Sequence, residues 1–287
     1  MTLAGNKLYN FFTYLWHRTL HRPITMRTVF VRKAKNPRLS VIFLHGTSAT
    51  AETWRVTMRQ FSKMPELSQV SFYALDLLGF GKSLQSSWLD YDYHDYEQAL
   101  ENTMKKLRIR TPVVLIGHSM GSLIAADFAV NYETKFDLRA LILVSPPVLM
   151  SAELAKLPDK AYTKSYGSLQ RFAKEEPAAA VLANFIQRFS SFRSKYLTTP
   201  AFGRSMDQII LNRKNYQTFT SLKTPTLLIH GHFDPLVMHS NLKRVADHNP
   251  HVKFVSVMGH HDVSIQKRTK ILIELKKILR EIEHETL

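Results

Sequence analysis

The 287-residue sequence contains no cysteine, which excludes disulfides, thiol nucleophiles and metal–thiolate sites. It also lacks an apolar run that could cross a bilayer. The best stretch, Leu8 to Trp16, is interrupted by Asn10 and Thr13 and falls short of the roughly 20 residues a spanning helix needs. No small-residue cleavage site follows it, so a secretory signal is not expected. Internal repeats and low-complexity tracts are absent as well. Lys and Arg number 39 against 23 Asp and Glu, a net charge of +16, yet no long basic run concentrates that excess. A solvated basic surface is therefore favoured over attraction to anionic lipid, nucleic acid or acidic substrates. A phosphate-binding loop ending at Gly81-Lys82-Ser83 would need glycine at position 76, where Asp76 stands, so the nucleotide reading fails.

What is present is organised around Gly117-His118-Ser119-Met120-Gly121. The apolar run from Val113 to Ile116 precedes it and a helix-like run from Ser122 to Val130 follows. Strand, sharp turn and helix with a serine at the apex describe a nucleophile elbow. The rival reading of this stretch alone is a serine that caps a helix. A serine hydroxyl is a poor nucleophile by itself, so a base and an orienting acid must lie elsewhere. Two later apolar runs end in suitable residues. The run from Pro225 to Ile229 leads to Asp234, and the run from Val252 to Val257 leads to Gly259-His260-His261. The order Ser, Asp, His is the one that sheet hydrolases of this type use.

Four segments carry a family resemblance: His45-Gly46-Thr47-Ser48 after a strand, Asp76-Leu77-Leu78-Gly79-Phe80-Gly81-Lys82-Ser83, the Ser119 elbow, and the Asp234 and His260 loops. Together they resemble the α/β-hydrolases with a helical cap, in the esterase, lipase and C–C hydrolase branch. The resemblance spans about residues 38–283. It implies a mostly parallel sheet flanked by helices, with the cap inserted after the strand that ends at Val144. It also implies a catalytic triad of Ser119, Asp234 and His260, with the backbone N–H groups of Thr47 and Met120 holding the oxyanion and Ser48 as the rival to Thr47. In the family the base follows glycine directly, which selects His260 over His261. His118 and His232 are read as structural or pocket residues, and the Asp76 to Ser83 stretch as a structural turn. No cofactor and no metal are called for.

The expected division is an N-terminal aromatic and basic segment over 1–24, a core over 25–146 and 222–287, and a cap over 147–221. Helical segments are expected at Ala152–Leu157, Leu169–Lys174, Ala178–Phe189 and Gly203–Leu211, with Tyr162, Tyr166, Phe172, Phe185, Phe189, Phe192, Tyr196 and Phe202 mostly in the cap's own core. Ile271, Leu275, Ile278 and Ile282 share one face of a closing helix, with Lys and Glu on the other. The expected reaction is hydrolysis of a carboxylic ester of modest chain length through an acyl-enzyme. The alternatives are C–C bond hydrolysis and a non-catalytic protein that binds lipid surfaces. Ser119 argues against relatives that use an aspartate nucleophile. The expected partner is a small ester or acyl compound, with no nucleic acid and a cytoplasmic setting. For the aromatic N-terminal segment, packing on the protein's own body is favoured over peripheral contact with a membrane.

Overall fold

In a computed structural model, the described residues are 6–149, 199–212 and 214–285. Seven strands form one sheet: β1 (Arg27–Arg32), β2 (Leu39–Leu44), β3 (Val70–Asp76), β4 (Val113–His118), β5 (Leu138–Val144), β6 (Thr226–Gly231) and β7 (Val252–Val257). Their order is β1-β3-β2-β4-β5-β6-β7. All neighbours run parallel except the edge strand β1, which is antiparallel to β3. The central strands read as continuous apolar runs because helices cover both faces. Strand β4 and its neighbour β2 are buried along their whole length.

The α-helices among the described residues are α1 (Lys7–Tyr14), α2 (Arg55–Phe61), α3 (Tyr93–Lys106), α4 (Met120–Tyr132), α5 (Pro200–Ser205), α6 (Asn215–Ser221), α7 (His239–His248) and α8 (Ile265–Glu285). Successive strand residues point to opposite faces, so β4 divides its side chains between two cores. Leu115 joins α3, α4 and α7 through Leu100, Leu123, Phe128 and Leu242. Val114 and Ile116 join α2 and α8 through Met58, Phe61, Ile271, Leu275, Ile278 and Ile282. The periodic stripe expected on the closing helix is thus its sheet-facing side. Parallel strands bring the C-terminal ends of β2 to β7 to one edge, and the loops at that edge carry the candidate site.

Sequence patterning places β4, β6, β7 and the end of β5 to within about two residues, but gives no sign of α7. Only Leu242 and Val245 are buried apolar residues on that helix, and the buried Asn241 interrupts the stripe. Asn241 instead donates to the carbonyl of Val148 at 2.9 Å. The helix expected over Gly203–Leu211 starts earlier, at Pro200, and continues from Ser205 as a π-helical stretch, Met206–Ile210. Phe202 is buried. The segments 152–157, 169–174 and 178–189, with the aromatics Tyr162, Tyr166, Phe172, Phe185, Phe189, Phe192 and Tyr196, lie outside the described residues.

Candidate active site

Ser119 stands between β4 and α4 at φ 52° and ψ −120°, a strained conformation for a residue with a side chain. The flanking glycines make it attainable. A Cβ on Gly117 would come within 2.5 Å of the carbonyl oxygen of Gly121 and the Cα of Ser122, and one on Gly121 within 2.5 Å of the carbonyl of His45. Helix α4 can therefore start directly under the strand end. The Ser119 N–H donates to the Val144 carbonyl at 2.9 Å, which ties the elbow to β5.

Asp234 follows β6 and is buried. Its carboxylate accepts Nδ1–H of His261 at 2.9 and 3.1 Å and the Leu236 N–H at 2.9 Å. The Ser145 hydroxyl donates to it as well. Burial alone would raise this carboxyl, but the His261 ring and these donors outweigh it and hold it down at about 2. The residue paired with Asp234 is thus His261, not His260 as the family spacing implied. His260 is exposed, and its Nδ1 faces the Phe233 carbonyl at 3.3 Å. The cause lies in the backbone. Gly259 does take a glycine conformation, at φ 150°. The chain then lays the His260 carbonyl inward, 2.5 Å from Nζ of Lys267. That carbonyl also lies where a Cβ on Gly231 would stand, 2.2 Å away. With its carbonyl turned in, His260 projects its ring outward. The next side chain points the opposite way, to Asp234.

With Nδ1–H committed to Asp234, the Nε2 of His261 is buried and has no partner among the described residues. Its ring centroid lies 5.0 Å from that of His118, the residue before Ser119. His118 Nε2–H donates to the His261 carbonyl at 2.8 Å, so this histidine links the elbow to the histidine loop. Burial, then the neighbouring His261, hold its ring well below the ordinary range. It stays neutral, in keeping with a structural role. His232 makes an edge contact with Phe233 and its backbone N–H bonds to β7.

The loop after β2 is set by His45. Its Nδ1–H donates to the Gly46 carbonyl at 2.7 Å, and its Nε2 accepts the Leu77 N–H at 2.9 Å. Burial lowers its pKa to about 4, which keeps the ring neutral in that tautomer. In a planar trans peptide the N–H points away from its carbonyl. Fixing the Gly46 carbonyl on His45 and on the Ala49 N–H therefore turns the Thr47 N–H to the other side. A Cβ on Gly46 would come 3.0 Å from that of Ser119, so this loop abuts the elbow. Met120 is the first residue of α4, where backbone N–H groups have no acceptor within the helix. The Thr47 and Ser48 hydroxyls are buried without partners among the described residues, and Ser48 has φ 55°. Asp76 takes no part: its carboxylate accepts the Ala51 and Lys82 N–H groups, and Gly81 leaves it room.

Two site residues escape a motif search. Lys267 is fully buried and donates to the carbonyls of His260, His261 and Asp262 and to Oγ of Ser145 at 2.8 Å. Ser145, at φ 50°, passes the connection to Asp234. A signal for Lys267 exists in the sequence. It falls four residues before Ile271 on the apolar stripe, where a lysine is out of place unless something inside receives it.

A seven-stranded, mostly parallel sheet with a strained serine elbow and an Asp–His pair at its C-terminal edge defines an α/β-hydrolase. The chain matches the family described as serine aminopeptidase, S33, over residues 35–261, and it belongs to that family. It is 29% identical over 117 residues to an Arabidopsis thaliana protein named "Probable lysophospholipase BODYGUARD 5", covering 40% of this chain and 26% of that one. It is 25% identical over 122 residues to the human (Lyso)-N-acylphosphatidylethanolamine lipase, covering 42% and 33%. The alignments thus span only about a quarter to a third of these two relatives. Among solved structures, the esterase EaEST of Exiguobacterium antarcticum superposes with a TM-score of 0.66 at 17% identity, over 89% of this chain and 100% of that one. At that identity the likeness concerns the fold.

Proposed function

We propose that this protein hydrolyses carboxylic esters through an acyl-enzyme on Ser119, with His261 as base and Asp234 as its orienting acid. The carrying observation is the buried His261–Asp234 pair, whose Nε2 has no partner among the described residues and whose ring packs on His118, the neighbour of a serine held at φ 52°. In this reading Nε2 takes the Ser119 proton as Oγ attacks the acyl carbon. The imidazolium, steadied by Asp234, returns that proton to the leaving alcohol. Water then repeats the sequence on the acyl-enzyme. The N–H groups of Thr47 and Met120 receive the oxyanion, the first held in place by His45. The relatives named as lysophospholipase and acylphosphatidylethanolamine lipase favour a fatty acyl ester over a peptide as substrate.

The test uses a fluorophosphonate probe and a p-nitrophenyl ester series. Ser119→Ala should abolish labelling and lower turnover by several powers of ten. His261→Ala should cost on the order of 10³-fold or more, whereas His260→Ala should cost less than about 10-fold. Labelling that survives Ser119→Ala, or a dead His260→Ala beside an active His261→Ala, overturns the assignment.

A further inference from the structure

Helix α1 and the π-helical stretch that continues it, Leu15–Thr19, are mounted in reverse. An amphipathic helix on a globular protein normally turns its apolar stripe inward. Here the stripe that meets the protein is polar. Oδ1 of Asn10 accepts the Ser86 hydroxyl at 2.7 Å and the Ser87 N–H at 2.8 Å. Thr13 accepts the indole N–H of Trp88 at 3.0 Å, and the His17 ring lies against the same indole. Residues 10, 13 and 17 are spaced as one helical face. Leu8, Phe11, Phe12, Leu15, Trp16 and Leu20 point elsewhere and are 38–63% exposed. Specific hydrogen bonds therefore fix the helix with its aromatic side outward.

The charge carried by the segment itself has one sign. The first acidic residue of the chain is Glu52, whereas Lys7, Arg18, Arg22, Arg27, Arg32, Lys33, Lys35 and Arg38 precede it. Lys7, Arg18 and Arg22 are exposed. Arg18 lies over the Trp88 ring at 5.4 Å, and Arg22 over Trp16 at 5.5 Å. Apolar and aromatic side chains between arginines and lysines match the boundary between acyl chains and anionic headgroups.

The mounting point adds direction. Residues 86–88 lie in the loop that follows β3, at the same sheet edge as Ser119, Asp234 and His261. Arg204 of α5 donates to the carbonyls of Ser87 and Leu89, so the platform under α1 is itself braced.

We propose that the outward face of α1 and its π-helical extension docks on an anionic phospholipid surface, holding the site edge of the sheet near the membrane. The inference stands apart from the proposed chemistry, since docking needs no turnover. The test is sedimentation of the 287-residue protein with vesicles of phosphatidylcholine and phosphatidylglycerol in equal parts, with pure phosphatidylcholine as control. The protein should pellet with the anionic vesicles, and Trp16 emission should shift to the blue. The Leu8→Ser/Phe11→Ser/Phe12→Ser variant should lose binding by on the order of 10-fold or more. Its near-ultraviolet circular dichroism should stay unchanged, because none of the three side chains is buried. Absence of wild-type binding to anionic vesicles overturns the proposal, as does undiminished binding by the triple variant. A wild-type dimer that the triple variant converts to a monomer, with no vesicle binding by either, also overturns it by giving the face to a second copy.

Discussion

Lys267 is a lysine with no exposed surface, and its cost must be offset by what it holds. An ammonium has three N–H groups, and here they are shared among four acceptors, three successive carbonyls and the Ser145 hydroxyl. Those carbonyls belong to the loop that decides which histidine faces Asp234, so Lys267 is a positioning residue for His261. Burial lowers its pKa to about 8, with Asp234 and Asp262 pulling the other way. Lys267 is faced by Asp234 after β6, Ser145 after β5 and Asp262 in its own loop, with His118 and His230 electrostatically coupled to it. As pH rises through about 8 the loop therefore loses one donor and one positive charge. Turnover should decline on that limb. Lys267→Met should reduce kcat by up to about 100-fold with little change in KM, because misplacement by about 1 Å has that effect. Lys267→Arg keeps the charge at every accessible pH and should move the alkaline limb upward. An alkaline limb that is the same in the arginine variant would show that Lys267 does not set it.

At the scale of elements, α3 and α4 meet through a carboxylate pair, Glu97 and Asp127. Asn131 donates to Glu97 at 2.7 Å, and Thr218 of α6 reaches Asp127. Burial, with Asp127 beside it, raises Glu97 to about 8. Between its ordinary value of 4.5 and about 8 the folded protein keeps a proton that the unfolded chain has released. Stability from this junction is complete below the lower value and falls as pH rises to the upper one. Glu97→Gln keeps the shape and offers Asp127 a donor. It should raise Tm by about 2–4 °C near pH 9 and leave it unchanged near pH 5, measured by calorimetry. Equal shifts at both pH values would place the effect in packing. What a sequence reveals at this scale follows the range of the physics. Strands and the Ser119 elbow are local patterns, so Val113 to Gly121 announces itself. The choice between His260 and His261 turns on a single residue of register, set by Lys267 and Gly231 from other parts of the chain, and the spacing after Gly259 carries no trace of it. The polar stripe of α1 is visible as a periodicity, but which side meets the protein depends on Ser86 to Trp88, far along the chain.

Over the whole molecule, 39 basic against 23 acidic side chains leave 16 positive charges unmatched however the ion pairs are arranged. Several carboxylates already serve more than one cation or join distant elements. Glu101 meets Lys105 and Lys135, Glu285 meets Arg139, and Glu66 meets Lys276 of α8. The remaining excess repels itself in the folded state more than in the expanded chain, and salt screens that repulsion. The same excess draws the N-terminal face to an anionic surface, and salt screens that attraction too. The two effects have opposite signs for two observables. Between about 0.01 M and about 0.1 M salt the Debye length falls from roughly 30 to roughly 10 Å, and Tm should rise while the fraction bound to anionic vesicles falls. The aromatic contribution is unscreened, so binding that remains at the higher salt should be the part removed by Leu8→Ser/Phe11→Ser/Phe12→Ser. A Tm that drops over this range would mean that specific ion pairs such as Lys276–Glu66, rather than net charge, dominate the electrostatics of the fold.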